Sequence, residues 1–428
     1  IKDEQLEFLP EKSLVAGLDF EHNWLNRKYF INAKSFYSKI DGSETAISKL
    51  QRSSQHLYQR KDAEHLEYNS QLTSLQGWGG EVNGGKRSGK FRLTGNLEWR
   101  SPGVDLNDVG YMRQADYVNE EVNLLYNVNK PKGILLRYYF LLKQEHLWSF
   151  GGENLKDFLF SQAKLTFKNY WILNLTLDRT INEIDTRQLR GGPSLRIDAN
   201  TSAGLIFQTN SSKKLVFATR LDFTKYDDEI TWRNKYDFSL SWLINNNFTL
   251  SSMSGFTNET NNSQYVKQLT VDNKREYIVG KIDRQTLFTT LRAEYFITPE
   301  LSLQYYGSPY ASIGKYNSYR KVNQSKSKDL NERYSPLFIN GSNLVDENGE
   351  VLLDFNTENP DFNFQEFRSN FVLRWEYKTG STFYFVWTNT SSNYEATYNP
   401  SITNTFKNIS KLQAQNAFMI KFSYWFSL

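Results

Sequence analysis

Asp346-Glu347-Asn348-Gly349-Glu350, with Asp354 beyond, supplies hard oxygen ligands around a glycine. Carboxylates and amide oxygens around a glycine suit calcium, which takes about six to eight oxygens and needs a sharp turn. Asp346, Asn348, Glu350 and Asp354 are the candidate metal ligands. Their spacing is incomplete for a calcium loop, and a solvated turn explains the same residues. A second group, Asp105, Asn107, Asp108 and Arg113, falls in one inter-strand segment. Folded inward, it would constrict a lumen. Asp, Asn, Gly and Pro also serve ordinary turns. The histidines are His22, His56, His65 and His146, with no i,i+4 pair and no H-E-x-x-H motif; a helical zinc site of that type is excluded. Asp62 and Glu64 lie near His65. A hydrolytic dyad needs a serine or aspartate brought to a histidine by the fold, so no catalytic residue is assigned. No cysteine is present, which removes thiolate metal sites and thiol nucleophiles. Apart from calcium in a surface loop, no cofactor is expected.

The elements that would carry these residues are strands. The terminal stretch Phe418 to Leu428 puts Phe418, Ile420, Phe422, Tyr424, Phe426 and Leu428 on one parity, with Lys421, Ser423 and Ser427 on the other. Side chains on a strand alternate between faces. The segment 89–100 is cleaner still. Phe91, Leu93, Gly95, Leu97 and Trp99 face one way; Arg92, Thr94, Asn96, Glu98 and Arg100 face the other. Charge on a lipid-facing position costs about 2–4 kcal/mol near the midplane, so its strict absence from one parity is informative. The same alternation recurs at 118–128, 134–142, 170–180, 213–225, 229–243, 369–378 and 381–391. Asn234 interrupts the apolar parity of 229–243 without an evident reason.

Nineteen strands follow from this pattern, including separate ones at 247–257, 263–271, 276–282 and 285–297. The turns near 26, 85, 131, 169, 211, 245, 273, 299 and 380 are mostly short. The connections 39–70, 101–116, 181–194, 313–366 and 392–411 are long. Short periplasmic turns and long outer loops are the pattern of outer-membrane barrels. No apolar run reaches the roughly 20 residues of a transmembrane helix. A membrane-spanning chain of this kind must therefore close as a barrel. Aromatics make up 15% of the residues, as interfacial girdles require. The 51 basic and 47 acidic residues nearly balance, which argues against nucleic-acid binding. The expected fold is all-β: residues 1–428 as a single, closed, antiparallel transmembrane β-barrel of roughly 18–20 strands with long extracellular loops. With the last strand descending to the periplasm, Ile1 to Lys12 lie on the outer side. An odd number of strands is then expected before Ile1, together with the missing upstream part of the precursor.

Several stretches resemble one family. They are Phe8-Leu9-Pro10, Tyr58-Gln59-Arg60-Lys61-Asp62-Ala63-Glu64-His65, Lys86-Arg87-Ser88-Gly89, Ser101 to Gly110, Leu189-Arg190-Gly191-Gly192-Pro193, and Asn359-Pro360-Asp361-Phe362-Asn363-Phe364 with Phe367-Arg368-Ser369-Asn370. The chain resembles the uncharacterised Bacteroidota outer-membrane barrel domain that usually follows a family-nine carbohydrate-binding-like module. The resemblance implies architecture, compartment and an upstream module, not a chemistry. It also favours an inward, structured loop around Asp105.

Location in the cell outer membrane is expected, with outer-membrane lipid as the first partner. Other surface proteins and a glycan are further candidate partners. Three functions remain open: a membrane-embedded platform in a cell-surface complex, linked to glycan handling; a channel or uptake porin; and, least supported, a rim hydrolase.

Overall fold

The computed structural model describes residues 6–271 and 274–426. Its chain is an antiparallel all-β meander. The strands are β1 (Lys12–Trp24), β2 (Tyr29–Asp41), β3 (Ser74–Lys86), β4 (Phe91–Arg100), β5 (Tyr117–Val128), β6 (Leu135–Trp148), β7 (Asn154–Phe167), β8 (Ile172–Asp185), a short β9 (Leu195–Ile197), β10 (Asn200–Gln208), β11 (Leu215–Tyr226) and β12 (Trp232–Asn245). They continue through β13 (Phe248–Val271), β14 (Lys274–Phe296), β15 (Leu301–Val322), a short β16 (Tyr334–Pro336), β20 (Phe362–Lys378), β21 (Ser381–Glu395) and β22 (Gln415–Ser423). β17 (Phe338–Asn340), β18 (Asn343–Val345) and β19 (Val351–Asp354) form a separate three-stranded sheet. The main sheet has nineteen strands, of which β9 and β16 are three-residue additions at one rim. The other seventeen each pair with their sequence neighbour, and every pairing is antiparallel.

This corrects the count read from the sequence. Segments 247–257 and 263–271 are one strand, β13, and 276–282 and 285–297 are one strand, β14. Register shifts at Asn261/Gln264, Tyr265/Lys267 and Val279/Lys281 reset the alternation. An extra residue on one strand flips the following side chains to the other face, so one long strand reads as two. Val271 and Lys274, the ends of β13 and β14, therefore lie at the rim that carries the long loops, and the turn expected near 273 lies outside the described residues.

The register carries one parity across the sheet. Trp99 pairs with Val118, Leu97 with Glu120, Leu93 with Leu124 and Leu124 with Leu142. Farther on, Leu205 pairs with Leu175, Tyr236 with Phe256, Leu373 with Phe385 and Phe385 with Ile420. The apolar column is solvent-exposed: Leu18, Leu97, Leu142, Leu177, Leu240 and Phe418 all lie open. Glu120 and His146, paired on this parity, lie toward the long-loop rim. Trp24, Trp78, Trp99, Trp148, Trp232, Trp242, Trp375 and Trp387 all stand on this face by register. The opposite face carries ion pairs such as Lys143 with Glu121 and Glu145, each at 3.0 Å.

The apolar face is covered at one level. α4 (Ile402–Asn408) and the 3-10 turn after it press Ile402, Phe406 and Ile409 onto Ala311, Ile313, Phe256, Leu287 and Phe367. The register places those strand residues on the exposed parity. Below this cover, the open column on β15 runs from Leu301 to Pro309. That is about 27 Å along the strand, or roughly 20 Å for a strand tilted near 40°.

Candidate functional site

The long connections turn onto the polar face. In the β2–β3 connection, Ser43 caps α1 (Glu44–Gln51), its Oγ accepting from the Ala46 amide at 3.1 Å. Ile47 is fully buried against Ile40 and Leu75 of the wall. The Gln51 side chain ties the connection to itself, donating to the Asn69 carbonyl at 2.7 Å and accepting from the Asn69 amide at 3.0 Å. Residues 39–70 therefore do not form an external loop, as the sequence reading had it. Their apolar residues are spent on the inner wall. The helix stops at Gln51, and Leu57 lies beyond it with φ 51°.

The β4–β5 connection, 101–116, lies against the same wall. A Cβ on Gly77 would overlap the Val104 backbone, and one on Gly103 would overlap the Gln76 carbonyl. Two glycines let two backbones touch. Val104, Met112 and Ala115 are buried with Phe36 and Leu106. The Asp105 amide donates to Ser38 Oγ at 2.9 Å, and its carboxylate accepts from the Asn107 amide at 2.8 Å and faces His56 Nε2 at 3.1 Å. His56 Nδ1 lies 2.8 Å from the Pro102 carbonyl. Burial works against the Asp105 charge, but hydrogen bonds from His56 and Asn107 hold its carboxyl below the usual range. Asp105 and Asn107 thus shape the loop. Asp108 and Arg113 are exposed, and the Arg113 carbonyl accepts from Arg187 at 3.3 Å.

Buried charges join these two connections to others around the rim. Arg60 donates to Asp116 and to Ser194 Oγ, both at 3.0 Å. Asp116 also meets His65 Nε2 at 2.8 Å and the Phe150 amide at 3.1 Å. Asp62 accepts from the Ser194 amide at 3.0 Å and pairs with Lys326 at 2.9 Å, which also pairs with Glu153 at 2.7 Å. Against the cost of burial, Lys326 and Ser194 keep the Asp62 carboxyl low, while Glu153 and Asp62 keep the Lys326 ammonium high. Burial beside Asp116 pushes the Tyr58 phenol up to about 12. Arg333 makes two hydrogen bonds to Asp198 at 3.1 Å. Leu189 and Leu195 pack on Tyr277 and Val279 of β14.

These contacts require the sheet to curl. Asp62 sits between β2 and β3 and Lys326 follows β15. Their strands would lie roughly 50 Å apart in a flat meander at about 4.8 Å per strand. Connections from much of the rim therefore meet over the concave polar face and form a plug. Between residues 111–114 and the wall a cavity of 400 Å³ remains, lined by Glu98, Arg100, Arg113, Tyr117 and Glu145 among others.

The other candidates do not converge. The Asp346 carboxylate is taken up by its own turn, accepting from the Asn348 and Glu350 amides at 2.9 and 2.8 Å. Asp354 caps α3 (Phe355–Glu358) through the Asn356 amide. Among the described residues, no group of three or more His, Cys, Asp or Glu side chains is arranged to hold a metal ion. His22 stacks with Phe20 and Trp24 on the outer face, and His146 pairs with Asp157 at 2.6 Å. Among the described residues, no serine or threonine hydroxyl is hydrogen-bonded to a histidine. The sequence reading missed Arg60, Asp116, Ser194, Lys326 and Arg333. The one available signal was that Tyr58–His65, Ser101–Gly110 and Leu189–Pro193, remote in sequence, share one family pattern; all three lie in the plug.

Residues 13–427 match the family described as Domain of unknown function (DUF5916). The chain belongs to that family. No curated protein matches it. Among solved structures, the siderophore receptor PirA from Acinetobacter baumannii aligns over 96% of this chain and 71% of its own, with TM-score 0.41 and 8% identity. No helix among the described residues is long and apolar enough to cross a membrane.

Proposed function

We propose that the chain is the wall of an outer-membrane β-barrel whose lumen is plugged by its own loops, and that it serves as a membrane-embedded platform for a cell-surface complex. The observation that carries this reading is the single parity of the exposed apolar column across successive strands, where charged residues such as Glu120 lie toward the long-loop rim. Hydrocarbon accepts the first surface and water the second. Barrels of about 16–18 strands hold an aqueous channel unless something fills it. Here the rim connections, joined by Arg60–Asp116, Asp62–Lys326 and Arg333–Asp198, supply the filling. Outside, β13, β14 and β15 extend beyond their neighbours and support the small sheet, where Phe338, Ile339 and Val351 are exposed. That sheet is the contact surface offered to other surface proteins; a glycan is a further candidate for the same rim.

Single-channel recording in planar bilayers tests the reading. The intact protein should show no steady conductance. A steady nanosiemens-scale pore would contradict the plugged platform and favour the channel. The channel reading has its own support in the cavity of 400 Å³ left between residues 111–114 and the wall.

A further inference from the structure

Residues 111–114 stand off the concave wall and leave a cavity of 400 Å³. Small-molecule sites occupy about 300–1,000 Å³, so its size fits one small ligand. The wall side comes from β4, β5 and β6, which contribute Glu98, Arg100, Tyr117, Asn119 and Glu145. The plug side includes Tyr111 and Arg113, both exposed, so the cavity opens to solvent.

Its charges do not cancel. Glu98 is met by Arg100 at 3.0 Å and by the Tyr117 hydroxyl at 2.6 Å. Glu145 is met by Lys143 at 3.0 Å and by Lys156 at 3.6 Å. Both lining carboxylates are therefore matched. Arg113 is not: among the described residues its guanidinium makes no ion pair and no hydrogen bond, and its carbonyl alone is engaged. The group on that carbonyl, at 3.3 Å, is the guanidinium of Arg187, which also makes no ion pair among the described residues. Two unmatched cations thus sit together on the plug side, facing a wall whose carboxylates are already taken. A cationic ligand would meet repulsion from Arg113 and Arg187 and find no free carboxylate. An anion finds the reverse, in a concave site that strengthens the field over that of an open surface. Guanidinium N–H groups match the oxygens of a carboxylate or a phosphate. The amides of Gln114 and Asn119, which also line the cavity, can both donate to and accept from a polar body attached to that group.

We infer that this cavity is a binding site for a small polar organic anion, one carrying a carboxylate or a phosphate, with Arg113 as the residue that takes the charged group and Arg187 as its electrostatic support. The site needs the plug and the concave wall. It does not depend on whether the barrel conducts, so its test is separable from bilayer recording.

The experiment is isothermal titration calorimetry on the full-length protein in detergent micelles, with four probes: glucuronate, glucose 6-phosphate, glucose and glucosamine. At least one of the two acids should bind, and more weakly as salt rises. The neutral and cationic sugars should bind at least about tenfold more weakly, the order expected for one charge-assisted contact. The glucuronate and glucose 6-phosphate arms tell a carboxylate site from a phosphate site. Arg113→Gln should weaken the acid about tenfold as well; the side chain is exposed and holds nothing else, so the fold is kept. Lys213→Gln, in the short turn between β10 and β11, should leave the affinity unchanged. The inference is overturned if neither acid binds, if glucose or glucosamine binds as tightly as the acids, or if Arg113→Gln leaves the affinity where it was. An equal loss in Lys213→Gln would also overturn it, since the binding would then follow net charge and not this site.

Discussion

Leu97 and Arg60 are held in place by opposite means. Leu97, on the wall, is 42% exposed, and its backbone lies in ladders to β3 and β5. Arg60, in the plug, is 5% exposed, and its guanidinium meets Asp116 and Ser194. The wall is built from repeated local pairing, with one face apolar and exposed. The plug is built from a few buried polar contacts, each made once, between segments far apart in the chain. A buried pair gains little over apolar packing, but breaking one partner leaves a stranded charge. The plug should therefore fail in steps at single residues, while the wall should respond to parity.

The largest expected effect is at Asp116, which serves both Arg60 and His65. Asp116→Ala should destabilise the plug by about 3–5 kcal/mol, because it strands a buried guanidinium. The readouts are faster proteolysis within 42–73 and the appearance of conductance, with the wall still melting as one unit. Next comes parity. Leu93→Arg, at the level of Leu124 and Leu142, should cost about 2–4 kcal/mol in unfolding from lipid vesicles, while Thr94→Arg, one residue away on the polar face, should cost far less. Equal costs would erase the distinction between the two faces. Gly77→Val should push 101–116 off the wall, at about 1–3 kcal/mol for overpacking, and should show as faster amide exchange at 103–105.

The smallest effect is that of pH. Asp62 and Asp105 are both held below their ordinary values. Their contribution is complete above the unfolded carboxylate value, near 4, and is lost as pH falls through the lower folded values. Proteolysis of the plug by an acid-tolerant protease should accelerate only below about pH 4, before the wall melts.

The wall was legible in the sequence because each strand states its own parity: Phe91 to Arg100 needs no distant residue to be read. The exceptions were β13 and β14, where bulges break the period within one strand, and β15, which runs to Val322 through residues read as the 313–366 connection. The plug was legible only in part. Asp105 and Asn107 lie in a loop whose inward fold was expected, yet the partner that fixes Asp105, His56, is 49 residues away. Arg60 and Ser194 are 134 residues apart, and no local pattern joins them. The 392–411 loop was seen as a connection, but not as the cover over Ala311 and Ile313, because its apolar residues Ile402, Phe406 and Ile409 look the same whichever side of the sheet receives them.

The central claim is that lipid wets the face bearing the tryptophans. Quenching of intrinsic fluorescence in vesicles made with brominated lipids measures this directly, since Trp78, Trp99, Trp242, Trp375 and Trp387 share that face. Strong quenching by brominated chains, with little effect from aqueous iodide, is the expected result. Emission that ignores the lipid and follows iodide would contradict it.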